Sequence, residues 1–273
     1  MQTRGFNGRW IIAIVMALIS VVGYYSSTSK NSVTGEKQHT GGITPQQEIA
    51  LGLQAAPQMA QEFGGLSDNA QAQQLVERVG QLVAAQSDAA KTPYRYEFHL
   101  LRDPETINAF ALPGGQIFIT VGLLKHLKTQ GQLAGVLGHE VSHVVARHSA
   151  EQIAKQKLTQ GLSGAAAIAA YDPNNPASRN SAQVAAMIGG LVNMKFGRSD
   201  ELEADRYGVR FMAQAGYDPR AMLQVMQILA ASAGGKRSPE FFNTHPNPEN
   251  RLVKIQQAIK QEFPNGLPQG LKP

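Results

Sequence analysis

The chain is 273 residues long, room for one compact domain with appendages, and 42% of it is hydrophobic, as expected of a chain that buries a core. A formal charge of only +5, with no Lys/Arg cluster interleaved with aromatics, sets nucleic-acid binding aside. The absence of cysteine excludes thiolate metal sites, cysteine nucleophiles, disulfides and attachment through a lipidated cysteine.

The first element is apolar. Trp10 to Tyr25 carries no charge and is preceded by Arg4 and Arg9. As helix it spans roughly 24 Å, slightly short of a ~30 Å hydrocarbon core. Trp10 at one end and Tyr24 with Tyr25 at the other suit the two interfaces. Residues 1–25 are therefore expected to be an N-terminal membrane anchor, with the arginines on the cytoplasmic side and the rest exported. The rival reading is a cleaved signal segment, which lacks an A-x-A site here. Residues 26–42, rich in Ser, Thr, Gly and Lys, read as a flexible tether.

The folded domain, residues 43–273, opens on a helix start: Thr44 as cap, Pro45 in the first turn and Gln47 completing a capping box. A second helix shows Leu75, Val76, Val79, Leu82 and Val83 at helical spacing. The period then changes to two, with Tyr94, Tyr96, Phe98 and Leu100 alternating with Arg95, Glu97 and His99. After Asp103-Pro104, two short apolar runs flank Pro113-Gly114-Gly115, the second being Ile117 to Val121. Together these predict a small antiparallel sheet of about three strands.

Beyond Gly122 the pattern is helical. A helix is expected from near Gln130 through the 140s and another from Ser199 or Asp200. Asp218-Pro219 and Asn247-Pro248 mark two further starts. Gly161 to Ala170 and Ile188 to Val192 are apolar but too short to span a membrane, and are expected to pack on the core or shield the active site.

The chemistry concentrates in His139-Glu140-Val141-Ser142-His143, an HExxH pattern. Four residues of helix turn about 400°, so both histidines lie on one face and can reach one ion. Glu140 sits about 100° away, placed to take a proton from metal-bound water. The bland alternative, a solvated face, conflicts with Leu133, Val136, Leu137, Val141, Val144 and Val145, which would bury this helix. A buried helix with two histidines and a glutamate needs compensation for its polar groups.

A catalytic zinc takes a third protein ligand. Downstream, Glu201 and Asp205 share a helix face, while Glu203 points elsewhere. Glu201 is the economical third ligand, and Asp205 would accept from the Nδ1–H of a histidine, with His139 the first candidate. One Zn2+ per chain is expected.

Four blocks carry a family resemblance: Asn108-Ala109-Phe110-Ala111-Leu112-Pro113-Gly114-Gly115, the HExxH helix, Ser199 to Asp205, and Thr244-His245-Pro246 followed by Arg251. In order and spacing, from roughly Gln47 to Gln261, they resemble the HtpX and CAAX-prenyl-protease-like family of gluzincin zinc metallopeptidases, in its periplasmic BepA-like branch. The resemblance implies an α+β, mainly α, zincin-type metallopeptidase domain with the small sheet beside the HExxH helix. It supports Glu201 as third ligand and places His245 and Arg251 near the active centre. It also implies that Asn108, Ala109, Gly114 and Gly115 bind substrate, with the strand after Pro113-Gly114-Gly115 as the edge along which extended substrate pairs. His245 and Arg251 are the catalytic candidates for stabilising the oxyanion of the transition state, and His245 could instead act as a fourth ligand that holds the enzyme latent. The expected function is endoproteolysis of extended or misfolded protein segments, in envelope quality control, from a bacterial inner-membrane site facing the periplasm. Two other classes are weighed. A metal-stabilised assembly factor that binds without cutting has no use for Glu140, and an aminopeptidase would need an acidic cluster that is not apparent. His148, nine residues past His139, is expected on the surface, and His39, His99 and His126 are assigned no role.

Overall fold

The computed structural model describes residues 8–170, 195–233, 239–246 and 250–273. Ile188–Val192 and Asn247-Pro248 lie outside the described residues. The protein is mainly helical with two small sheets and divides into two compact units.

One unit comprises Met1–Lys30, Glu36–Ile43 and Ala150–Met194. Its first helix, α1 (Gly8–Ser26), exposes Trp10, Ile11, Ile12, Ile14, Val15, Leu18, Ile19, Val22 and Tyr25. Among the described residues no helix is long and apolar enough to cross a membrane. The segment read as a tether contains an antiparallel ribbon, β1 (Thr28–Lys30) with β2 (Lys37–His39). His39 explains why this polar stretch is ordered: its ring stacks on Tyr24 at 5.1 Å and meets Thr28 Oγ1 at 3.0 Å, and its amide donates to Glu151.

The larger unit comprises Asn31–Gly35, Thr44–Ser149 and Lys195–Pro273. Its helix α2 (Pro45–Glu62) starts at the expected capping box, with Gln47 N–H donating to Thr44 Oγ1 and Thr44 N–H to Gln47 Oε1. In α3 (Ala70–Ala85) the predicted apolar stripe is the buried one, through Val76, Val79 and Val83. A 3-10 turn, Asp88–Lys91, leads to the sheet.

The sheet has strands β3 (Glu97–Leu101), β4 (Ala109–Ala111) and β5 (Gln116–Thr120), in the order β3-β5-β4. It is mixed rather than antiparallel: β5 pairs antiparallel with β4 and parallel with β3. The loop after β3 carries the chain past one strand position, so the β4–β5 hairpin folds back and places β5 in the gap. β5 therefore cannot be the free edge expected of it; β4 and β3 hold the edges. The hairpin turn contains Gly114 at φ 83° and Gly115 at φ 111°, backbone that a side chain would strain. A Cβ on Gly114 would also fall 2.4 Å from Ile49 Cα, and one on Gly115 2.6 Å from the Arg95 carbonyl oxygen. Both glycines thus have a packing reason.

The helical part follows: α4 (Val121–Leu124), α5 (Gln130–Ala146), α6 (His148–Ala170, which runs into the smaller unit), α7 (Arg198–Gln214), α8 (Ala221–Ala233), α9 (Phe241–Thr244) and α10 (Arg251–Glu262). α5 is the central helix, packed on α3, α7, α8 and β4, and every residue from Gly131 to Ala146 is buried. It ends at Arg147, a non-glycine residue in the left-handed conformation (φ 61°). That costs roughly 1–2 kcal/mol, and the buried carboxylate of Glu48 offsets it by accepting from Arg147 Nε at 2.8 Å and from Tyr94 Oη at 2.7 Å.

Candidate active site

The polar side chains of α5 are brought into partnership by a close helix crossing. Gly208 of α7 lies against Gly138 of α5, and a Cβ there would sit 3.2 Å from the His139 amide nitrogen. The crossing lets Glu201, in the first turns of α7, reach over α5. His139 and His143 present Nε2 atoms 3.1 Å apart. Glu201 Oε2 is 3.4 Å from His139 Nε2, and Oε1 is 3.5 Å from His143 Nε2. His245, just past α9, adds its Nδ1 at 3.1 Å from Glu201 Oε1 and 3.4 Å from His139 Nε2. It is fully buried at 0% exposure, so it is not a surface residue.

These four donors lie within 4.8 Å of one another. A tetrahedral ion with bonds of about 2.0–2.1 Å needs donor–donor edges of about 3.4 Å. The separations of 3.1 to 3.5 Å match that size, and the nitrogen and oxygen donor set is of the kind that holds zinc. Glu201 Oε2 is buried among them without a hydrogen-bond partner, its contacts being the charged Arg251 Nη2 at 3.2 Å and His139 Nε2 at 3.4 Å. The residues therefore fit a metal ion.

The buried charges are coupled to one another. Burial opposes ionisation of Glu201, yet His245 and His139 outweigh it and hold the carboxylate well below its usual range. Burial likewise opposes the charged form of His139, but the carboxylates of Asp205 and Glu201 raise its pKa to about 9. His143 is driven the other way, well below its usual value, by burial and by the neighbouring His139. Asp205 Oδ1 lies 3.0 Å from His139 Nδ1, the contact expected from its spacing one turn after Glu201.

Glu140 is fully buried beside the donors, with both carboxylate oxygens unpaired and His245 Nε2 3.6 Å from Oε1. Burial raises its pKa. Arg251 packs against the acids of α7. Its Nε and Nη2 clamp the two oxygens of Asp205 at 2.8 Å each, and Nη2 also reaches Glu201 at 3.2 Å. Asn108 and Ala109 stand at the start of the edge strand β4, and Asn108 Oδ1 is buried without a partner. Gly114 and Gly115 shape the turn beyond it.

Three contributors escaped the sequence reading. Phe196 stacks on His143 at 4.0 Å and Phe241 on His245 at 4.4 Å, and a short aromatic residue pattern gave no signal for either. His148 is the third: it is 2% exposed, with Nδ1 2.9 Å from His143 Nδ1. Counting around a continuous helix puts it on the surface, but α5 stops at Ala146 and the left-handed Arg147 turns the chain back.

Two histidines a turn apart, a carboxylate from the adjoining helix and a glutamate beside them make this a metallopeptidase centre of the HExxH type. The chain belongs to peptidase family M48, whose pattern its residues 70–259 match. It is 33% identical over 195 residues to a putative beta-barrel assembly-enhancing protease of Vibrio cholerae, covering 69% of this chain and 39% of that one. It is 31% identical over 197 residues to the beta-barrel assembly-enhancing protease of Escherichia coli, covering 70% and 39%. It is 36% identical over 168 residues to the mitochondrial metalloendopeptidase OMA1 of Schizosaccharomyces pombe, covering 61% and 48%. The chain thus spans under half the length of these relatives.

Proposed function

We propose that the protein is a zinc-dependent endopeptidase that cuts extended segments of misfolded or misassembled envelope proteins. The observation that carries this reading is the buried tetrahedron-sized set of His139, His143 and Glu201 with the unpaired Glu140 carboxylate beside it. Relatives named for enhancing β-barrel assembly support the envelope role. Bound zinc would act as a Lewis acid towards water and the scissile carbonyl. Glu140 accepts the proton of the attacking water on a carboxylate oxygen and returns it to the departing amine. Asp205 holds His139 through Nδ1, and Arg251 holds Asp205, so both orient rather than react. Substrate pairs along the edge strand β4 at Asn108 and Ala109, where backbone hydrogen bonding accepts any extended sequence.

His245 is read as a fourth donor in the resting protein, since its Nδ1 completes the donor set. Zinc analysis and casein cleavage by the purified protein test these assignments together. Wild type should bind one zinc and cut casein, and Glu201→Ala should lose most of the metal. Zinc without cleavage would favour the binding-only reading. At matched zinc occupancy His245→Ala should cleave faster than wild type; a loss of roughly 10²–10³ would make His245 a transition-state stabiliser instead.

The same reading attaches the enzyme to the inner membrane through α1, with the catalytic unit on the periplasmic side. Its support is the row of exposed apolar side chains from Trp10 to Tyr25 and the arginines before them. The protein should stay with membranes through alkaline carbonate; release, with an N-terminus near Tyr24, would show a cleaved signal.

A further inference from the structure

His139 and His143 play matching parts at the metal-facing side of α5, but their other nitrogens are supported differently. His139 Nδ1 faces the carboxylate of Asp205 at 3.0 Å. His143 Nδ1 faces another imidazole, His148 Nδ1, at 2.9 Å. A carboxylate only accepts, so it admits one tautomer of its partner. A neutral imidazole nitrogen can donate or accept, so the pair of rings has two arrangements. In one, His143 carries its proton on Nδ1 and keeps the Nε2 lone pair for a metal. In the other, His148 donates, the proton of His143 moves to Nε2, and His143 cannot ligate.

A third group separates the two. The far nitrogen of His148, Nε2, lies 3.5 Å from Glu203 Oε2, an electrostatic contact rather than a formed hydrogen bond. An anionic oxygen there favours a proton on His148 Nε2, which leaves His148 Nδ1 as an acceptor. His143 must then donate from Nδ1. In the opposite arrangement a nitrogen lone pair would face the Glu203 carboxylate, two acceptors with no proton between them. The rings cannot escape by turning over. His148 is 2% exposed and His143 1% exposed, and Phe196 is stacked on the face of His143 at 4.0 Å. His148 is delivered to this place by the left-handed Arg147, which Glu48 holds.

We propose that His148, directed by Glu203, fixes His143 in the tautomer that presents Nε2 to the metal. His148 and Glu203 are positioning residues, and the inference rests on His143 being a zinc ligand. It gives Glu203 a task that its place on the outer side of α7 conceals.

The test uses the whole 273-residue chain and two readouts. The first is zinc affinity by chelator competition. His148→Phe, which keeps a ring but offers no acceptor, should weaken zinc binding about 10–100-fold, as expected when a ligand loses its orienting partner. His148→Asn puts an oxygen near the place of Nδ1 and should stay close to wild type. Glu203→Lys, at a position with a quarter of its side chain exposed, should weaken zinc about as much as His148→Phe, because an ammonium donates to His148 Nε2 and reverses the pair. The second readout is long-range ¹H–¹⁵N NMR of the metal-stripped protein: His143 should be protonated at Nδ1 in wild type and at Nε2 in Glu203→Lys. Equal losses in His148→Asn and His148→Phe would mean that ring volume alone matters, and would overturn the proposal. So would an unchanged affinity in Glu203→Lys, or a wild-type His143 protonated at Nε2. Should His148→Phe fail to fold, Glu203→Lys and the wild-type spectrum decide. A wild type that binds no zinc would sink the metal reading, while the spectrum would still report on the tautomer.

Discussion

Glu140→Gln is expected to retain the zinc proposed for the site and to lose at least ~100-fold in proteolysis. Glutamine matches glutamate in shape, so the buried position is refilled without a cavity. None of the donor set is removed, because His139, His143, Glu201 and His245 supply the atoms that converge. What disappears is the acceptor for the proton of the attacking water. Both oxygens of Glu140 lack a hydrogen-bond partner, so no internal bond is lost with the charge, and stability should hold or rise slightly. Burial raises the Glu140 pKa, which makes its carboxylate a better proton acceptor. Metal content, casein turnover and a thermal melt on one preparation check all three expectations. Full turnover by this variant would remove Glu140 from the mechanism.

Arg251→Leu is expected to destabilise the protein by about 3–5 kcal/mol, the usual cost of breaking a buried ion pair from one side. Arg251 is 3% exposed and carries the counter-charge for two buried acids, making a bidentate bond to Asp205 and a further contact to Glu201. Leucine fills much of the volume but leaves both carboxylates short of positive charge. Asp205 would then hold His139 less firmly, so zinc affinity should fall with stability. Arg251→Lys restores charge without the two-pronged geometry and should lie between. Urea unfolding of metal-free protein measures the stability term separately from the metal term. A midpoint equal to wild type would show that Asp205 is neutral or solvated in the fold.

The most consequential residues were legible in the chain because their relation is local. His139 and His143 one helical turn apart, Glu140 beside them, and Glu201 with Asp205 one turn apart on a second helix all follow from the 3.6-residue period. The same period separates the buried stripe of α3 from its exposed side, and the capping box of α2 is a matter of adjacent residues. Each was readable because a short stretch of backbone determines it. The order of the sheet was not, since the alternation of Tyr94 to Leu100 says which face is buried but not which strand lies next to which. That depends on where the loop after β3 carries the chain. The ribbon of Thr28–His39 escaped for a similar reason: its polar residues are ordered by Tyr24 and Glu151, which lie outside it. Arg251 was placed near the centre by likeness, but its grip on Asp205 joins helices whose residues are 46 positions apart. His148 is the clearest case. Helical counting sends it to the outside, and only the left-handed Arg147 brings it to His143. A non-glycine residue adopts that conformation when distant groups compensate its strain, and here the compensating group is Glu48, 99 residues earlier in the chain. Periodicity decides which side chains share a face; it takes the packed structure, through contacts between segments remote in sequence, to decide what that face meets.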